Sequence, residues 1–371
     1  MRAGDVAGGE LVEEEVTEAE SEFQVRYKSK SKAPAGSFTI PANTEGALSE
    51  ALDRIAEQTD GDLDEFVRGK LGYERVEDLH AAYFGTQIDA LAMAIHQIDR
   101  ESALIIGDQT GTGKGRTGAG AMQYARQLGK TPVFFTAKDN LFNDMARDLT
   151  GIGHGDWNIL AINNKEDVTR EDGSVMIKKV SDAKHKQALK NLGDYDAIFV
   201  TYSQINSAQR HAKRNILSEF INKDTVLILD EAHKAGGQSN TGEFVRGLLA
   251  EAHSALYLSA TWAKRPDNMP LYFRTDMTKG TGDDLEAITA VIESGGVPMQ
   301  QVASAMLTRS GQYLRREMDM EGIEFRTKVL TATASRDIET ADASTAILRE
   351  IIAFDNIIGE AVKALEKQLQ T

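Results

Sequence analysis

A glycine-rich loop is the strongest chemical signal in the sequence. Gly111 and Gly113 precede Lys114, and the loop follows an apolar run at 104–106 and leads into a predicted helix at 116–127. Glycines let the backbone curl so that its N–H groups point inward, and a helix N-terminus adds partial positive charge. Because a lysine can supply a full charge to β- and γ-phosphates, this pattern predicts a nucleoside triphosphate site.

The loop departs from the common pattern G-x-x-x-x-G-K-[ST] at two positions. Asp108 stands where the first glycine is expected, and Gly115 stands where a hydroxyl residue is expected. That hydroxyl normally binds Mg²⁺, so one metal ligand is absent or displaced. Thr110 and Thr117 carry the nearby hydroxyls, neither at the usual spacing, and Thr117 is the predicted substitute. The alternative is a glycine-rich turn that binds no ligand.

Two adjacent carboxylates end a second apolar run, at 226–229. Asp230 is predicted to hold Mg²⁺, directly or through water. Glu231 is predicted to orient and deprotonate the attacking water, and His233 is grouped with it and with Lys114 as catalytic. The alternative is a polar strand end that caps a helix.

Two weaker signals flank these motifs. Ser259 and Thr261 follow another apolar run, and their hydroxyls are predicted to bond the His233 region and to couple it to the γ-phosphate. Gln87 begins an amphipathic stretch, and its amide can pair with the donor and acceptor edges of adenine, unless it is an ordinary helix-surface glutamine. The predicted nucleotide-binding residues are Gln87, Thr110, Gly111, Thr112, Gly113, Lys114, Gly115 and Arg116.

Polar residues also follow two other apolar runs. Lys138 and Asn140 come after the second run, and Thr201 and Ser203 come after the fourth. In open α/β sheets, ligands gather beyond the carboxyl ends of the strands. Such side chains suit contacts with a phosphate backbone, so they are the candidate nucleic-acid residues. Ordinary loop polarity is the alternative.

Short apolar runs must position these residues. They alternate with helical stretches and lack in/out alternation, which is typical of strands buried on both faces of a parallel sheet. We therefore predict an α/β lobe over 101–282, with a sheet covered by helices, a helical lead-in at 37–100 and a helical region at 283–371. The runs are 103–106, 133–136, 159–161, 197–201, 225–229 and 255–258.

Composition limits the remaining possibilities. An acidic run and then a basic, serine-interleaved stretch predict that residues 1–36 are a disordered tail or linker, or a docking segment. The net charge of −15 argues against a nucleic-acid footprint over the whole surface but leaves room for a local groove. The absence of cysteine excludes disulfides and a thiolate zinc site. We find neither a signal peptide nor a membrane-spanning run, which fits a cytoplasmic protein.

In combination, the motifs at 87, 111–114, 230–233 and 259–261 occur in the order of the first RecA-like lobe of superfamily-two helicases of DEAH type. Residues 108–117 and 136–149 resemble the Strawberry notch family more closely, and so do 251–274 and 314–325. The resemblance covers about 37–330. It implies a RecA-like P-loop NTPase lobe that uses ATP and Mg²⁺ and acts on DNA, and it makes the change at Gly115 a family trait.

The resemblance also implies partners. It is nearest to bacterial and phage members, large proteins in which a methyltransferase-like module often accompanies the helicase-like part. Some phage members are anti-restriction proteins carried in the virion. Such motors close ATP between two lobes, and we find no second set of strand and helix alternations before Thr371. We therefore expect the second lobe elsewhere in the parent protein or on another chain.

Two other functions stay open on the sequence alone. In one, the lobe keeps its fold but does not hydrolyse ATP and serves as a structural, virion or assembly protein. In the other, the chain is a P-loop kinase or an ATPase acting on a small molecule, which leaves Ser259, Thr261 and the motif order unexplained.

Overall fold

The computed structural model describes residues 24–162, 167–169, 173–178, 187–188, 190–206, 211–237, 239–262, 266–281 and 284–319. The acidic run before residue 24 and the apolar stretch from about residue 345 lie outside the described residues.

The described strands and helices alternate over residues 103–162 and again over 197–314, as predicted. In chain order the strands are β1 (Gln24–Arg26), β2 (Phe38–Pro41), β3 (Ala103–Ile106), β4 (Thr131–Thr136), β5 (Ile159–Ile162), β6 (Val168–Thr169), β7 (Val175–Ile177), β8 (Ala197–Thr201), β9 (Thr225–Asp230), β10 (Ser254–Leu258), β11 (Tyr313–Leu314) and β12 (Glu317–Met318). The α-helices are α1 (Ala42–Ala56), α2 (Leu63–Leu71), α3 (Val76–Ala82), α4 (Gly85–Asp99), α5 (Lys114–Gln127), α6 (Leu141–Gly151), α7 (His211–Phe220), α8 (Asn240–Glu251) and α9 (Leu285–Arg309).

Seven of these strands form one parallel sheet in the order β11-β3-β10-β9-β4-β8-β5. Nearly every residue of the long strands is buried, because helices cover both faces. On β3, Leu104 and Ile106 join the core formed with α4, α5 and α6, whereas Ala103 and Ile105 join the core formed with α7, α8 and α9. The predicted parallel sheet covered by helices is confirmed.

The seventh strand corrects the predicted limit of the lobe. We placed the end of the α/β lobe at 282 and expected a mostly helical region beyond it. Tyr313–Leu314 instead extends the sheet beside β3, with the Gly107 N–H donating to the Leu314 carbonyl at 2.7 Å. Helix α9 before it is interrupted at Gly296, where φ is +56°.

Residues 24–36 are also placed differently from the prediction of a disordered tail. β1 pairs antiparallel with β2, which pairs with β12. The Tyr27 hydroxyl donates to the buried Asp89 carboxylate at 2.6 Å, and the Lys30 and Ser31 N–H groups donate to it as well. The buried Asp89 carboxylate therefore accepts hydrogen bonds from backbone N–H groups that we expected to be exposed to water.

Helix length and hydropathy bear on membrane insertion. Within the part of the chain that the structure describes, no helix combines the length and the apolar character needed to cross a bilayer.

Candidate functional site

The glycine loop joins β3 to α5 in the predicted order. Gly111 and Gly113 have φ values of +91° and +85°, in the left-handed region that favours glycine. Gly113 is the N-cap of α5, so Lys114 is the first helical residue. The loop therefore turns its backbone sharply and delivers the lysine to a helix N-terminus, as a phosphate cradle requires.

The sheet register brings the loop and the acidic strand end to the same edge. Leu258 of β10 pairs with Ile106 on one side and with Asp230 on the other. Neighbouring strands lie about 4.8 Å apart, so the start of the loop and Asp230 are separated by about 10 Å across β10. A lysine side chain and a triphosphate can span that distance.

The Lys114 amine lies in the electrostatic field of three nearby carboxylates. Burial lowers its pKa, while the carboxylates of Asp108, Glu231 and Asp230 oppose this shift. Its Nζ donates to the carbonyls of Asp108 at 2.5 Å and Gln109 at 3.0 Å. The predicted lysine and acid pair therefore lie within electrostatic reach of one another at one edge of the sheet.

Asp230 is held by two neighbours. Thr136 Oγ1, at the end of β4, donates to Asp230 Oδ2 at 2.8 Å, and the Tyr202 hydroxyl donates to the Asp230 carbonyl at 2.9 Å. Burial raises the pKa of Asp230, and the Thr136 hydrogen bond partly offsets this rise. Glu231 follows with φ +48°, so the chain leaves the sheet in a left-handed turn. These contacts of Thr136 and Tyr202 were not predicted from the sequence.

His233 and Ser259 meet, as predicted. The Ser259 Oγ lies 3.0 Å from His233 Nδ1, and Glu231 Oε2 lies 3.3 Å from the same nitrogen. Ser259 is fully buried, and its N–H donates to the Ile106 carbonyl at 3.0 Å. Since Ile106 is the last residue before the loop, this contact links the histidine to the loop strand. Thr261 lies two residues farther on and is half-buried.

Gln87 touches the loop rather than facing outward. Its Oε1 accepts from the Phe84 N–H at 3.0 Å, and its Nε2 donates to the Gly113 carbonyl at 3.3 Å. A side chain on Gly113 would lie 2.4 Å from that Nε2 atom. Both ends of the amide are engaged, so Gln87 braces the loop in this structure, and pairing with adenine stays a prediction.

The other predicted loop residues divide into two groups. Thr110 is exposed, whereas Thr112 is buried and its hydroxyl donates to the Gln109 carbonyl at 2.9 Å. The Arg116 side chain extends toward α3 and α6: its NH1 donates to the Ala82 carbonyl at 3.2 Å, and its Nε donates to Asp148 Oδ1. Thr117 is only 2 % exposed, so its hydroxyl is enclosed by helix packing and poorly placed to meet a hydrated ion.

The candidate nucleic-acid residues lie along the same sheet edge. Lys138 and Asn140 are exposed on the segment between β4 and α6. Thr201 is buried, and its hydroxyl lies 3.0 Å from the Ser203 hydroxyl. The Lys138 and Asn140 side chains are accessible to a ligand, whereas the Thr201 side chain is buried against Ser203.

A buried ion pair at the start of the loop was not predicted. Arg316, just after β11, donates from NH2 to Asp108 Oδ2 at 2.6 Å, and the Arg316 N–H donates to Asp108 Oδ1 at 2.7 Å. Both side chains are almost fully buried. The aspartate at the first glycine position was the available signal, since a charged residue there needs a partner.

Comparisons with known proteins place the chain in a family of NTP hydrolases. Residues 69–340 match the family described as P-loop containing NTP hydrolase pore-1. Strawberry notch homolog 2 of Mus musculus is 28 % identical over 263 residues, and strawberry notch of Drosophila melanogaster is 30 % identical over 247 residues. These alignments cover 65 % and 61 % of this chain but only 18 % and 14 % of those proteins.

Among solved structures, the SWI2/SNF2 ATPase core of Sulfolobus solfataricus in complex with dsDNA aligns over 64 % of this chain and 45 % of that chain. It has 14 % identity and a TM-score of 0.45. The family match spans the loop, the acidic strand end and the Ser259 region, and it confirms the predicted relationship. The chain thus belongs to the P-loop containing NTP hydrolase pore-1 family, and it is similar to the strawberry notch proteins.

Proposed function

We propose that this chain binds ATP with Mg²⁺ at the loop after β3 and is the ATP-hydrolysing motor lobe of a DNA-dependent helicase-like enzyme. The observation that carries the proposal is the sheet register, which places Ile106 at the start of the loop and Asp230 on either side of β10, with Lys114 in the electrostatic field of Asp230 and Glu231.

The residues present fit a magnesium nucleotide. The left-handed glycines open the loop toward the N-terminus of α5, which suits phosphates. Asp230 supplies a carboxylate oriented by Thr136, and Mg²⁺ commonly binds through one or two carboxylates and substrate phosphates. When bound, Mg²⁺ would neutralise charge on the phosphates. Glu231, beside His233, is the residue placed to orient water and accept its proton.

Action on DNA is the finer part of the proposal. The exposed Lys138 and Asn140 side chains at the carboxyl edge of the sheet support it, together with the family resemblance. We propose that the lobe works within a larger bacterial or phage protein, with a second RecA-like lobe and with a DNA-processing or anti-restriction role.

Nucleotide binding is tested by titrating the chain with a fluorescent ATP analogue in Mg²⁺. We expect Lys114→Ala to weaken affinity about tenfold or more, because a charged partner of the phosphates is lost. Lys130→Ala is the matched control, since Lys130 lies beyond the opposite end of α5 and donates to the Lys223 carbonyl at 2.7 Å. Equal affinities of the two variants for the analogue would refute the site.

DNA dependence is tested by measuring ATP hydrolysis with and without DNA. Lys138→Ala should lower DNA stimulation and its salt sensitivity while leaving ATP affinity without DNA unchanged. An ATP hydrolysis rate that does not change when DNA is added would contradict the motor role. ATP binding without turnover by the parent protein would favour a structural role.

A further inference from the structure

Gly115 lacks the hydroxyl that usually follows the loop lysine, and another side chain fills its place. A Cβ atom built on Gly115 would lie 2.4 Å from Asp148 Oδ2. Asp148 belongs to the last turns of α6, which packs beside α5. A carboxylate oxygen therefore occupies the space that a serine or threonine side chain would take.

Arg116 fixes the orientation of this carboxylate. Its Nε donates to Asp148 Oδ1 at 3.4 Å, and its NH1 is anchored on the Ala82 carbonyl. The guanidinium also lies against Gly151, where a Cβ would come within 2.5 Å of NH2. Among the described residues, the hydrogen bonds of Asp148 involve Oδ1 alone. Oδ2, on the loop side, is left to accept from a ligand.

Position and exposure decide what that ligand can be. The Asp148 side chain is 15 % exposed, so solvent reaches it. It adjoins the residue after Lys114, on the side of α5 where the pattern places the metal-binding hydroxyl. Mg²⁺ usually keeps several of its waters when it binds with phosphates, and those waters need acceptors.

We propose that Asp148 replaces the missing loop hydroxyl by accepting hydrogen bonds from the waters of nucleotide-bound Mg²⁺. Asp148 is a positioning residue in this role, and the proposal rests on the proposed function. It also accounts for Gly115, because any larger residue there would collide with the carboxylate.

The test measures metal affinity without turnover. Mn²⁺ is titrated into the complex of the 371-residue chain with ADP and followed by electron paramagnetic resonance. Asp148→Asn should weaken Mn²⁺ binding about 10- to 100-fold, the usual effect of losing an outer partner. ADP affinity in EDTA should not change. Asp144→Asn is the control, because Asp144 is an exposed residue of the same helix that pairs with Arg147.

A pair of double variants separates this role from packing. Gly115→Ser with Asp148→Ala restores a hydroxyl at the usual position, whereas Gly115→Ala with Asp148→Ala restores only volume. We expect Mn²⁺ affinity to recover in the serine variant alone. Equal affinities of the two, or unchanged affinity in Asp148→Asn, would overturn the proposal. If the wild-type chain binds ADP and Mn²⁺ normally in that case, the proposed function survives; if it binds no ADP, both fail.

Discussion

The two ends of the phosphate loop both depart from the usual pattern, and the structure compensates for them in different ways. At the amino end, Asp108 forms a buried ion pair with Arg316, and their side-chain exposures are 1 % and 3 %. We call it the sealed pair. At the helix end, Gly115 leaves room for Asp148, whose exposure is 15 %. The sealed pair has no access to a ligand, so it shapes the loop. The partly exposed Asp148 carboxylate keeps Oδ2 as an acceptor for a ligand.

The amino-end pair also ties the loop to distant chain. Residues Asp108 and Arg316 are 208 positions apart, and the Gln109 N–H donates to the Arg316 carbonyl at 2.9 Å. Arg316 also stacks over the Tyr27 ring at 5.4 Å from its centroid. Any displacement of the β11 and β12 segment therefore acts on the loop backbone directly.

Breaking the sealed pair should have the largest effect. Arg316→Ala leaves the Asp108 carboxylate buried without its counter-ion, which typically costs about 3–5 kcal/mol. Urea denaturation of the chain measures the loss. Arg315→Ala is the control, since its pair with Glu317 is about 30 % exposed and should contribute less than about 1 kcal/mol.

A double variant tests whether the unpaired charge causes this loss of stability. Asp108→Gly with Arg316→Met removes both charges and restores the usual glycine, so stability should return close to that of the wild type. If the double variant were as unstable as Arg316→Ala, the cost would come from lost arginine packing rather than from an unpaired charge.

The middle of the loop should show an intermediate effect. Gly113→Ala must hold a left-handed φ of +85°, which costs about 1–2 kcal/mol, and its Cβ would press on Gln87. Gly247→Ala, in the exposed interior of α8 with nothing within 4 Å, should instead stabilise by about 0.5–1 kcal/mol. Thermal unfolding compares the two, and equal shifts would argue against a strained loop.

At the helix end, stability should respond least. Asp148→Asn loses a partly exposed ion pair with an N–O distance of 3.4 Å, so we expect a change of about 0–1 kcal/mol. The same urea experiment provides the measurement. A loss as large as that of Arg316→Ala would erase the distinction between the two ends of the loop.

Asp230 is a third carboxylate near the loop, and its raised pKa makes the stability of the fold depend on pH. Burial raises its pKa in the folded protein, so folding penalises the charged form. That penalty is present at neutral pH and disappears as pH falls through the raised pKa. The wild type should therefore gain stability relative to Asp230→Asn on mild acidification, as urea midpoints at several pH values will show. A difference between the two that is constant with pH would contradict this.

The sequence predicted the parts of the site that follow from strand ends. Lys114 and Asp230 each follow an apolar run, and the ends of parallel strands share one edge, so their proximity needed no knowledge of helix packing. The contact between His233 and Ser259 follows in the same way, because β10 and β9 are neighbours.

The missed features depend on contacts between segments far apart in the chain. β11 has only two residues, too few to carry a periodicity, and the partner of Asp108 lies 208 positions away. Residues 24–36 were assigned to a tail because of their polar composition, which does not reveal that Tyr27, Lys30 and Ser31 donate hydrogen bonds to Asp89. Asp148 was overlooked because its approach to Gly115 depends on how α5 and α6 pack.

The most direct test of the site is the metal dependence of nucleotide binding. ATPγS affinity is measured by calorimetry in Mg²⁺ and in EDTA, for the wild type and for Asp230→Asn. If Lys114 and Asp230 act on one magnesium nucleotide, Asp230→Asn should reduce the ratio of the two affinities at least about tenfold and leave the EDTA value unchanged. An unchanged ratio would show that Asp230 does not face the nucleotide that Lys114 binds.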